Sequence, residues 1–210
     1  VQEYVSTDVG QVLAYDQGSV VSEIVISDSY TIADINVRLS ITHPEPREIQ
    51  VFLQSPDGRS IELFNQVPNL GVTGQDFRDT ILDDDPEEIG GAVVPINSSE
   101  AVPPFTGRYA PMTPLSQFNS GDVAGTWRLI VQDNVAVQIV NEGTIIEDST
   151  TGTLDAWSME VERIAPNSGE FLVNTSTAGN QIFSSIDMNR LGEYTIAWSG
   201  YGDQPGQEDE

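Results

Sequence analysis

The feature that most constrains the fold is a regular alternation of apolar and polar residues in the segment 31–42. Its apolar residues occupy every second position: Ile35, Val37, Leu39 and Ile41. Because successive side chains of a strand point to opposite faces, this pattern predicts a β-strand with one buried face. Similar alternation recurs in residues 48–54, 59–65, 126–133 and 152–161, whereas no useful length of chain has a 3.6-residue period. We therefore predict an all-β protein.

Turn residues separate these strands and favour an antiparallel arrangement. The clearest turn is residues 55–58, where Pro56 presets φ and Gly58 accepts a positive φ. Short alternating strands joined by such turns are typical of a β-sandwich whose strands each bury one face. The alternation fades in residues 87–109, and we expect that segment to be irregular.

The charge of the chain excludes several classes of function. It has 33 acidic residues against 8 basic ones, all of which are arginines, and a formal net charge of −25 with its single histidine neutral. So much negative charge repels phosphate backbones and anionic membrane surfaces, and it suits divalent cations or cationic partners. We expect no nucleic-acid partner. No apolar run is long enough for a membrane span, and the absence of cysteine excludes disulfides.

An acidic stretch, residues 76–88, concentrates this charge. Its seven carboxylates are those of Asp76, Asp79, Asp83, Asp84, Asp85, Glu87 and Glu88. Two apolar residues within it, Phe77 and Ile81, predict anchors that hold the stretch against the core as a loop. Like charges held close together are costly unless they are neutralised, and Ca²⁺ is a cation that oxygen ligands bind well. The stretch therefore predicts a calcium site.

Six ordered segments between residues 31 and 161 resemble the P domain, or Homo B domain, of proprotein convertases in its bacterial secreted form. They are residues 31–43, 48–64, 77–85, 103–119, 125–134 and 152–161. The most specific of these are the last two, which begin Gly-Thr-Trp at Gly125 and Gly-Thr-Leu at Gly152. Two departures from the family pattern are Arg47 with Glu48 before the second strand, and a long insertion at residues 135–151.

The resemblance implies a jelly-roll β-sandwich of the galactose-binding-like type. It also implies a non-catalytic domain that follows a subtilisin-like or metalloprotease domain and supports its stability, calcium dependence or substrate contact. The expected setting is a secreted or cell-surface multidomain protein. The expected partners are adjacent domains of the same chain, including a protease domain, and a protein or polysaccharide ligand.

For the calcium site, Asp83 and Asp84 are the best ligand candidates. The further candidates are Asp79, Asp85, Asp122, Asp133 and Glu48. Calcium takes 6 to 8 oxygen ligands, which carboxylates and carbonyls of separate loops commonly supply. The prediction requires the sandwich to bring the Asp83 loop beside the strand ends that carry Asp133 and Glu48. With this many acids, a solvated acidic surface is the alternative interpretation.

The sequence leaves two alternative functions, catalysis by a Ser–His–Asp triad and binding of carbohydrate or matrix. A Ser–His–Asp triad would have to use His43, the sole histidine, which we interpret instead as a structural hydrogen-bonding residue. The lack of further His or Cys also argues against zinc. A carbohydrate- or matrix-binding module is the stronger alternative, because jelly rolls bind sugars on aromatic side chains. The candidate aromatics are Tyr4, Tyr15, Tyr30, Phe105 and Tyr109, whereas Trp127 and Trp157 are expected in the core.

The chain divides into three parts by pattern. Residues 1–17 are a linker or an edge strand, residues 18–164 form the sandwich, and residues 165–210 are a linker followed by part of a second β-rich repeat. Within that last part, residues 182–188 and 193–198 predict a hairpin, and the boundary is expected at residues 166–169. One such hairpin buries its apolar face poorly without a neighbour. We interpret the chain as a piece of a longer protein.

Overall fold

The chain divides into two compact units, Val1–Arg163 and Ile164–Glu210, in a computed structural model. The structure describes residues 1–14, 18–68, 76–84, 94–134, 138–140, 144–146, 151–164, 181–189 and 193–200. These residues contain strands, two short 3-10 helices and no α-helix. Where described, no helix is long and apolar enough to cross a membrane.

The first unit contains two main sheets. The larger sheet has the order β1-β12-β4-β7-β8, and β2 also pairs with β12. Its strands are β1 Gln2–Val5, β2 Gln11–Leu13, β4 Ile32–Thr42, β7 Phe77–Leu82, β8 Phe105–Tyr109 and β12 Gly152–Arg163. The smaller sheet has the order β3-β9-β5-β6. Its strands are β3 Ser19–Ile26, β5 Ile49–Gln54, β6 Ser60–Phe64 and β9 Gly125–Asp133.

Residues 1–17 are predicted as a linker or an edge strand, and their described part contains β1 and β2, both of which pair with β12. Further along, two short strands, β10 Gln138–Val140 and β11 Thr144–Ile146, pair with each other inside the predicted insertion. In the second unit, β13 Gln181–Met188 and β14 Tyr194–Gly200 pair antiparallel where the sequence predicts a hairpin. The hairpin leaves Ile186 and Met188 exposed. The predicted boundary at residues 166–169 lies outside the described residues.

The core lies between the two main sheets and confirms the prediction of an all-β sandwich. Trp127 of β9 and Trp157 of β12 are both buried, as expected. The indole N–H of Trp157 donates to Ser22 Oγ on β3 at 2.8 Å, which links the two sheets. Phe77 stacks between Phe64 and Phe105, with ring centroids 4.8 and 5.0 Å away.

One pair of strands departs from the predicted antiparallel arrangement, because β7 and β8 are parallel. Residues 83–104 connect them, and a connection of that length allows the chain to return to the same end of the sheet. The expectation that residues 87–109 are irregular is therefore wrong for Phe105–Tyr109, which form β8. The expectation of a loop is likewise wrong for Phe77–Leu82, which form β7.

A bulge in β7 separates the two predicted anchors. Phe77 pairs with Ile41 and Ile81 pairs with Arg38, with a register shift between these pairs. Asp79 lies at the shift with φ of 47°. One extra residue in a strand reverses which face the following side chains occupy. Phe77 therefore lies in the core, whereas Ile81 lies on the outer face of the sheet beside Arg38.

Candidate functional site

Three ligand-type side chains meet at one end of the sandwich. They belong to His43, Glu48 and Asp133, and one ligand atom from each lies within 4.8 Å of the others. All three residues are buried, with exposed fractions of 0, 3 and 1 %. His43 follows β4, Glu48 ends the 3-10 helix Pro46–Glu48, and Asp133 ends β9. We call this group the buried cluster.

Backbone pairing explains why the buried cluster forms. Ile49 is the register partner of Asp133, so Glu48 reaches the sandwich next to the end of β9. The backbone N–H of Asn134 donates to the Glu48 carbonyl at 2.8 Å and holds the two strand ends together. The side chains of the cluster thus converge from segments that are far apart in sequence.

The hydrogen bonds of His43 fix its tautomer. The backbone N–H of Glu45 donates to His43 Nδ1 at 3.1 Å, so Nδ1 carries no proton. The other nitrogen, Nε2, lies 3.2 Å from Asp133 Oδ2 and donates to it. A triad histidine needs Nε2 as the acceptor of a serine hydroxyl proton. His43, which is buried, holds the opposite arrangement and is a structural hydrogen-bonding residue.

The glycines that begin the Gly-Thr-Leu and Gly-Thr-Trp motifs leave space for two neighbours, His43 of the buried cluster and Pro56 of the turn at residues 55–58. A Cβ at Gly152 would lie 2.4 Å from His43 Cδ2, so only glycine allows the imidazole its position. A Cβ at Gly125, whose φ is +121°, would lie 2.5 Å from Pro56 Cβ. The Gly-Thr-Trp and Gly-Thr-Leu motifs are therefore packing signatures. They seat one strand on the turn at residues 55–58 and another on His43.

The predicted calcium loop is arranged differently from the buried cluster. Asp83 is fully buried, and its Oδ2 accepts a hydrogen bond from Arg108 Nη1. The amide of Asn36, in the orientation that satisfies its surroundings, donates to Asp83 Oδ1 at 3.1 Å. Asp84 Oδ2 accepts the backbone N–H of Ser116 at 3.1 Å. A guanidinium and neutral donors therefore already compensate these two carboxylates.

The described candidate ligands do not all lie at one place. Asp76, just before β7, accepts the backbone N–H of His43, whereas Asp83 follows the other end of the same strand. A strand of this length is about 20 Å long, so Asp83 and Asp84 lie far from Asp133 and Glu48. Asp79 is exposed on the outer face, and Asp85 lies outside the described residues.

Asp122 belongs to a third place, on the exposed loop before β9. It accepts hydrogen bonds from the backbone N–H of Ala124 and from Ser29 Oγ. These bonds, the one from Ala124 first, lower the pKa of the Asp122 carboxyl. The structure thus brings Glu48 and Asp133 together, with His43, and leaves the other described candidates elsewhere. The sequence signal for this pairing was weak, because Glu48 and Asp133 lie far apart in sequence.

The candidate sugar-binding aromatics also lie at different places in the structure. Phe105 is buried in the core, Tyr109 is half-buried against it, and Tyr15 lies outside the described residues. Tyr4 and Tyr30 line a cavity of about 540 Å³, and their hydroxyls lie 2.9 Å apart. Burial, followed by the Tyr4 hydrogen bond, raises the pKa of Tyr30. Among the described residues, Tyr4 and Tyr30 are therefore the predicted sugar-binding aromatics that line a common cavity.

Comparison with known proteins finds a family match for one segment of the sandwich. Residues 32–91 match the model of the proprotein convertase P-domain family. The predicted resemblance to the P-domain is confirmed for this segment. The match includes His43 and Glu48, β4 to β7 and the first part of the acidic stretch. Asp133, Gly125 and Gly152 lie beyond the matched residues, on strands that pair with the P-domain segment.

Solved structures similar to this chain include two of a serine protease of Aeromonas sobria. The protease alone has a TM-score of 0.37 and 21 % identity, and its complex with the chaperone ORF2 has 0.37 and 20 %. In both, the similarity covers 76 % of this chain and 26 % of the other chain. This chain thus spans about a quarter of the length of these proteins. No curated protein sequence matches it significantly.

Proposed function

We propose that the chain is a non-catalytic, calcium-stabilised accessory P-domain of a secreted multidomain protein. It supports an adjacent serine or metalloprotease domain or presents a surface for protein binding. The observation that carries this proposal is the P-domain match at residues 32–91, which lies on four strands of the sandwich. Domains of this family act beside a catalytic domain and do not hydrolyse substrates themselves.

The geometry of His43 supports a non-catalytic role. It is the sole histidine of the chain, it is fully buried, and its Nε2 donates to Asp133. A serine protease mechanism needs an accessible histidine that accepts a proton from the nucleophile. Any serine protease activity of the parent protein must therefore come from another domain.

The proposed calcium dependence follows from the charge of the chain. A folded chain with a net charge of −25 repels itself, and a bound divalent cation reduces that repulsion. A ligand that binds only the native state raises its stability in proportion to the logarithm of ligand concentration. Among the described residues, the carboxylates of Glu48 and Asp133 are buried and lie close together, in one group with His43.

Removal of the sandwich from the parent protein tests the accessory role. We expect deletion of residues 1–163 to shorten the half-life of the parent's protease activity at elevated temperature several-fold, because an unfolding barrier supplied by the domain is lost. The measurement is residual peptide hydrolysis after timed heating in calcium-containing buffer. Deletion of residues 164–210 is the matched control and should change the half-life less. An unchanged half-life after the first deletion would contradict the support of a protease domain.

The alternative is a carbohydrate- or matrix-binding module, which the cavity beside Tyr4 and Tyr30 favours. Asp28, Ser29 and Arg163 also line this cavity. Tyrosine rings together with charged and hydroxyl groups offer a sugar both apolar contact and hydrogen bonds. The cavity lies where β1 pairs with the last residues of β12.

Retention on immobilised polysaccharides and collagen distinguishes this alternative. If the chain is a binding module, the wild type should be retained on at least one column. The variant with both Tyr4 and Tyr30 changed to alanine should pass through, because the cavity loses its aromatic walls. Val12→Ala, an exposed change on β2, is the control and should be retained as the wild type is. A wild-type chain that passes through every column would count against the alternative.

A further inference from the structure

A groove lies on the outer face of the larger sheet, where β1, β12, β4 and β7 are neighbours. Its volume is about 180 Å³, whereas pockets that enclose a whole small-molecule ligand commonly have about 300 to 1,000 Å³. The groove therefore fits one side chain of a partner better than a whole small ligand. We call it the outer groove, and its lining includes Val5, Arg38, Ser40, Asp79, Ala156 and Ser158.

Strand register and short side chains explain the floor of the outer groove. Ser158 of β12 pairs with Val5 of β1 on one side and with Arg38 of β4 on the other. In the next row of the sheet, Ala156 pairs with Ser40. Register partners of an antiparallel pair present their side chains to the same face. Because alanine and serine side chains are short, the outer face is lower here than at Val5 and Arg38.

Two irregularities of strand pairing border the outer groove. The pairing of β12 with β4 shifts between Leu154 and Ala156, and the pairing of β7 with β4 shifts at Asp79. Bulges bend a strand and redirect its side chains, and they are over-represented beside functional sites. Asp79 has a positive φ of 47°, which a non-glycine residue keeps only where its surroundings hold it. Its backbone N–H donates to Ser40 Oγ at 3.0 Å, so β4 supplies part of that hold.

The outer groove exposes apolar side chains to water. Val5 has an exposed fraction of 62 %, and Ala156 is exposed as well. Covering such surface with an aliphatic side chain of a partner is favourable, because it removes apolar area from water. Single exposed valines are common on protein surfaces, and Val25 of the smaller sheet is one of them at 72 %. Val5 differs from Val25 in that it lines a groove beside a second apolar side chain.

The charges around the outer groove favour a cationic partner. Arg38 Nη2 pairs with Glu160 Oε1 at 3.0 Å, so its positive charge is already compensated. Glu3 and Asp79 also line the groove, and among the described residues neither of them is in an ion pair. The hydroxyl of Ser158 donates to Glu3 Oε1 at 3.1 Å and directs that carboxylate toward the groove floor. Two carboxylates at the rim attract a basic partner and repel an acidic one.

We propose that the outer groove binds a basic segment of a partner protein. An aliphatic side chain of that segment lies in the groove, and lysine or arginine side chains lie beside Glu3 and Asp79. This inference rests on the proposed protein-binding surface and gives that surface a location and a partner chemistry. A polysaccharide fits this place less well, because Trp157 is only 1 % exposed and presents no ring face to a sugar.

Titration of the full chain with a synthetic peptide tests the proposal by nuclear magnetic resonance. The probe is the capped peptide Lys-Thr-Leu-Thr-Lys, which when extended presents its leucine and both lysines on one face. We expect saturable shifts of the backbone amide signals of Val5, Ser40 and Ala156. A peptide with serine in place of leucine should bind at least about 10-fold more weakly, because it buries less apolar surface. A peptide with glutamate in place of both lysines should not bind measurably.

Variants of the groove walls test the apolar part. Ala156→Leu fills the groove without a change of charge, and we expect the affinity for the leucine peptide to fall about 10-fold or more. Val5→Ser should weaken binding in the same direction, whereas the matched control Val25→Ser on the smaller sheet should bind as the wild type does. Circular dichroism establishes that each variant is folded. If Ala156→Leu does not fold, the comparison of Val5→Ser with Val25→Ser decides this part.

Variants of the rim test the charged part. Asp79→Asn removes a charge and keeps a residue that tolerates a positive φ. We expect it to lower the affinity for the leucine peptide about 1.5- to 5-fold at low salt and less at high salt. Glu3→Gln should act in the same way. Glu100→Gln, an exposed change outside the groove lining, is the matched control and should leave the affinity unchanged.

Three results would overturn the proposal. The first is the absence of saturable shifts in the wild type. The second is equal binding of the leucine and serine peptides with no effect of Ala156→Leu, which would show only nonspecific attraction to an acidic protein. The third is a dimer of the wild-type chain in sedimentation that Ala156→Leu abolishes, which would assign the groove to a second copy. None of these results bears on the accessory role, which the half-life of the parent protease measures separately.

Discussion

Phe77→Ala is expected to lower the free energy of unfolding by about 3 to 5 kcal/mol. Phe77 has an exposed fraction of 1 % and lies between two aromatic rings, those of Phe64 and Phe105. Its loss leaves a cavity between the two sheets and removes both stacking contacts, each of which adds to the burial term. Urea unfolding followed by tryptophan fluorescence measures the change.

Ile81→Ala is the matched control for this substitution, because the sequence predicts both residues as anchors of the same segment. Ile81 is 9 % exposed and lies on the outer face beside Arg38, outside the core cluster that contains Phe77. We expect a loss of about 1 to 2 kcal/mol, near the lower limit for such truncations. Equal losses at the two positions would contradict the bulge at Asp79 and the assignment of the two faces.

Arg108→Met is expected to lower the free energy of unfolding by about 2 to 4 kcal/mol. The Arg108 guanidinium binds the carboxylate of Asp83, which has no exposed surface. Removing one partner of such a pair leaves a buried charge poorly compensated, at a cost of about 3 to 5 kcal/mol for a fully buried pair. The Arg108 side chain is 30 % exposed, and solvent therefore reduces the expected loss.

Arg128→Met provides the control, since Arg128 pairs with Glu23 at 2.8 Å on the surface. Both partners are more than a third exposed, and we expect a loss below about 1 kcal/mol. Denaturation of both variants in low and high salt separates the two cases, because salt screens only the exposed pair well. If the Arg108 variant is as stable as the Arg128 variant, Asp83 does not depend on its arginine.

These two positions bear on the function because Phe77 tests how the acidic stretch packs, and Arg108 tests how one of its carboxylates is compensated. Phe77 supports the sandwich, and Arg108 pairs with the buried carboxylate of Asp83. A calcium effect that is independent of Arg108 would therefore locate the ion away from Asp83.

The local sequence pattern predicts a strand wherever apolar and polar residues alternate and the segment ends at a strong turn signal. The strands β4 to β6, β9 and β12 follow directly from their apolar periodicity, and the P-domain resemblance rests on the same segments. The alternation of β7 is interrupted by the bulge at Asp79, and β8 lies in a segment rich in prolines. Neither carries a clear period of two, so local pattern does not predict them as strands.

The candidate site shows the same division. The sequence alone determined that the chain is a β-sandwich with a P-domain signature and a large excess of negative charge, because periodicity, turn residues and composition are local or additive properties. Only the tertiary structure decided which carboxylates meet. Strand register places Glu48 beside Asp133, the turn after β4 fixes the His43 tautomer, and the length of β7 keeps Asp83 away from both. Distances between residues far apart in sequence depend on sheet pairing, and composition does not encode that pairing.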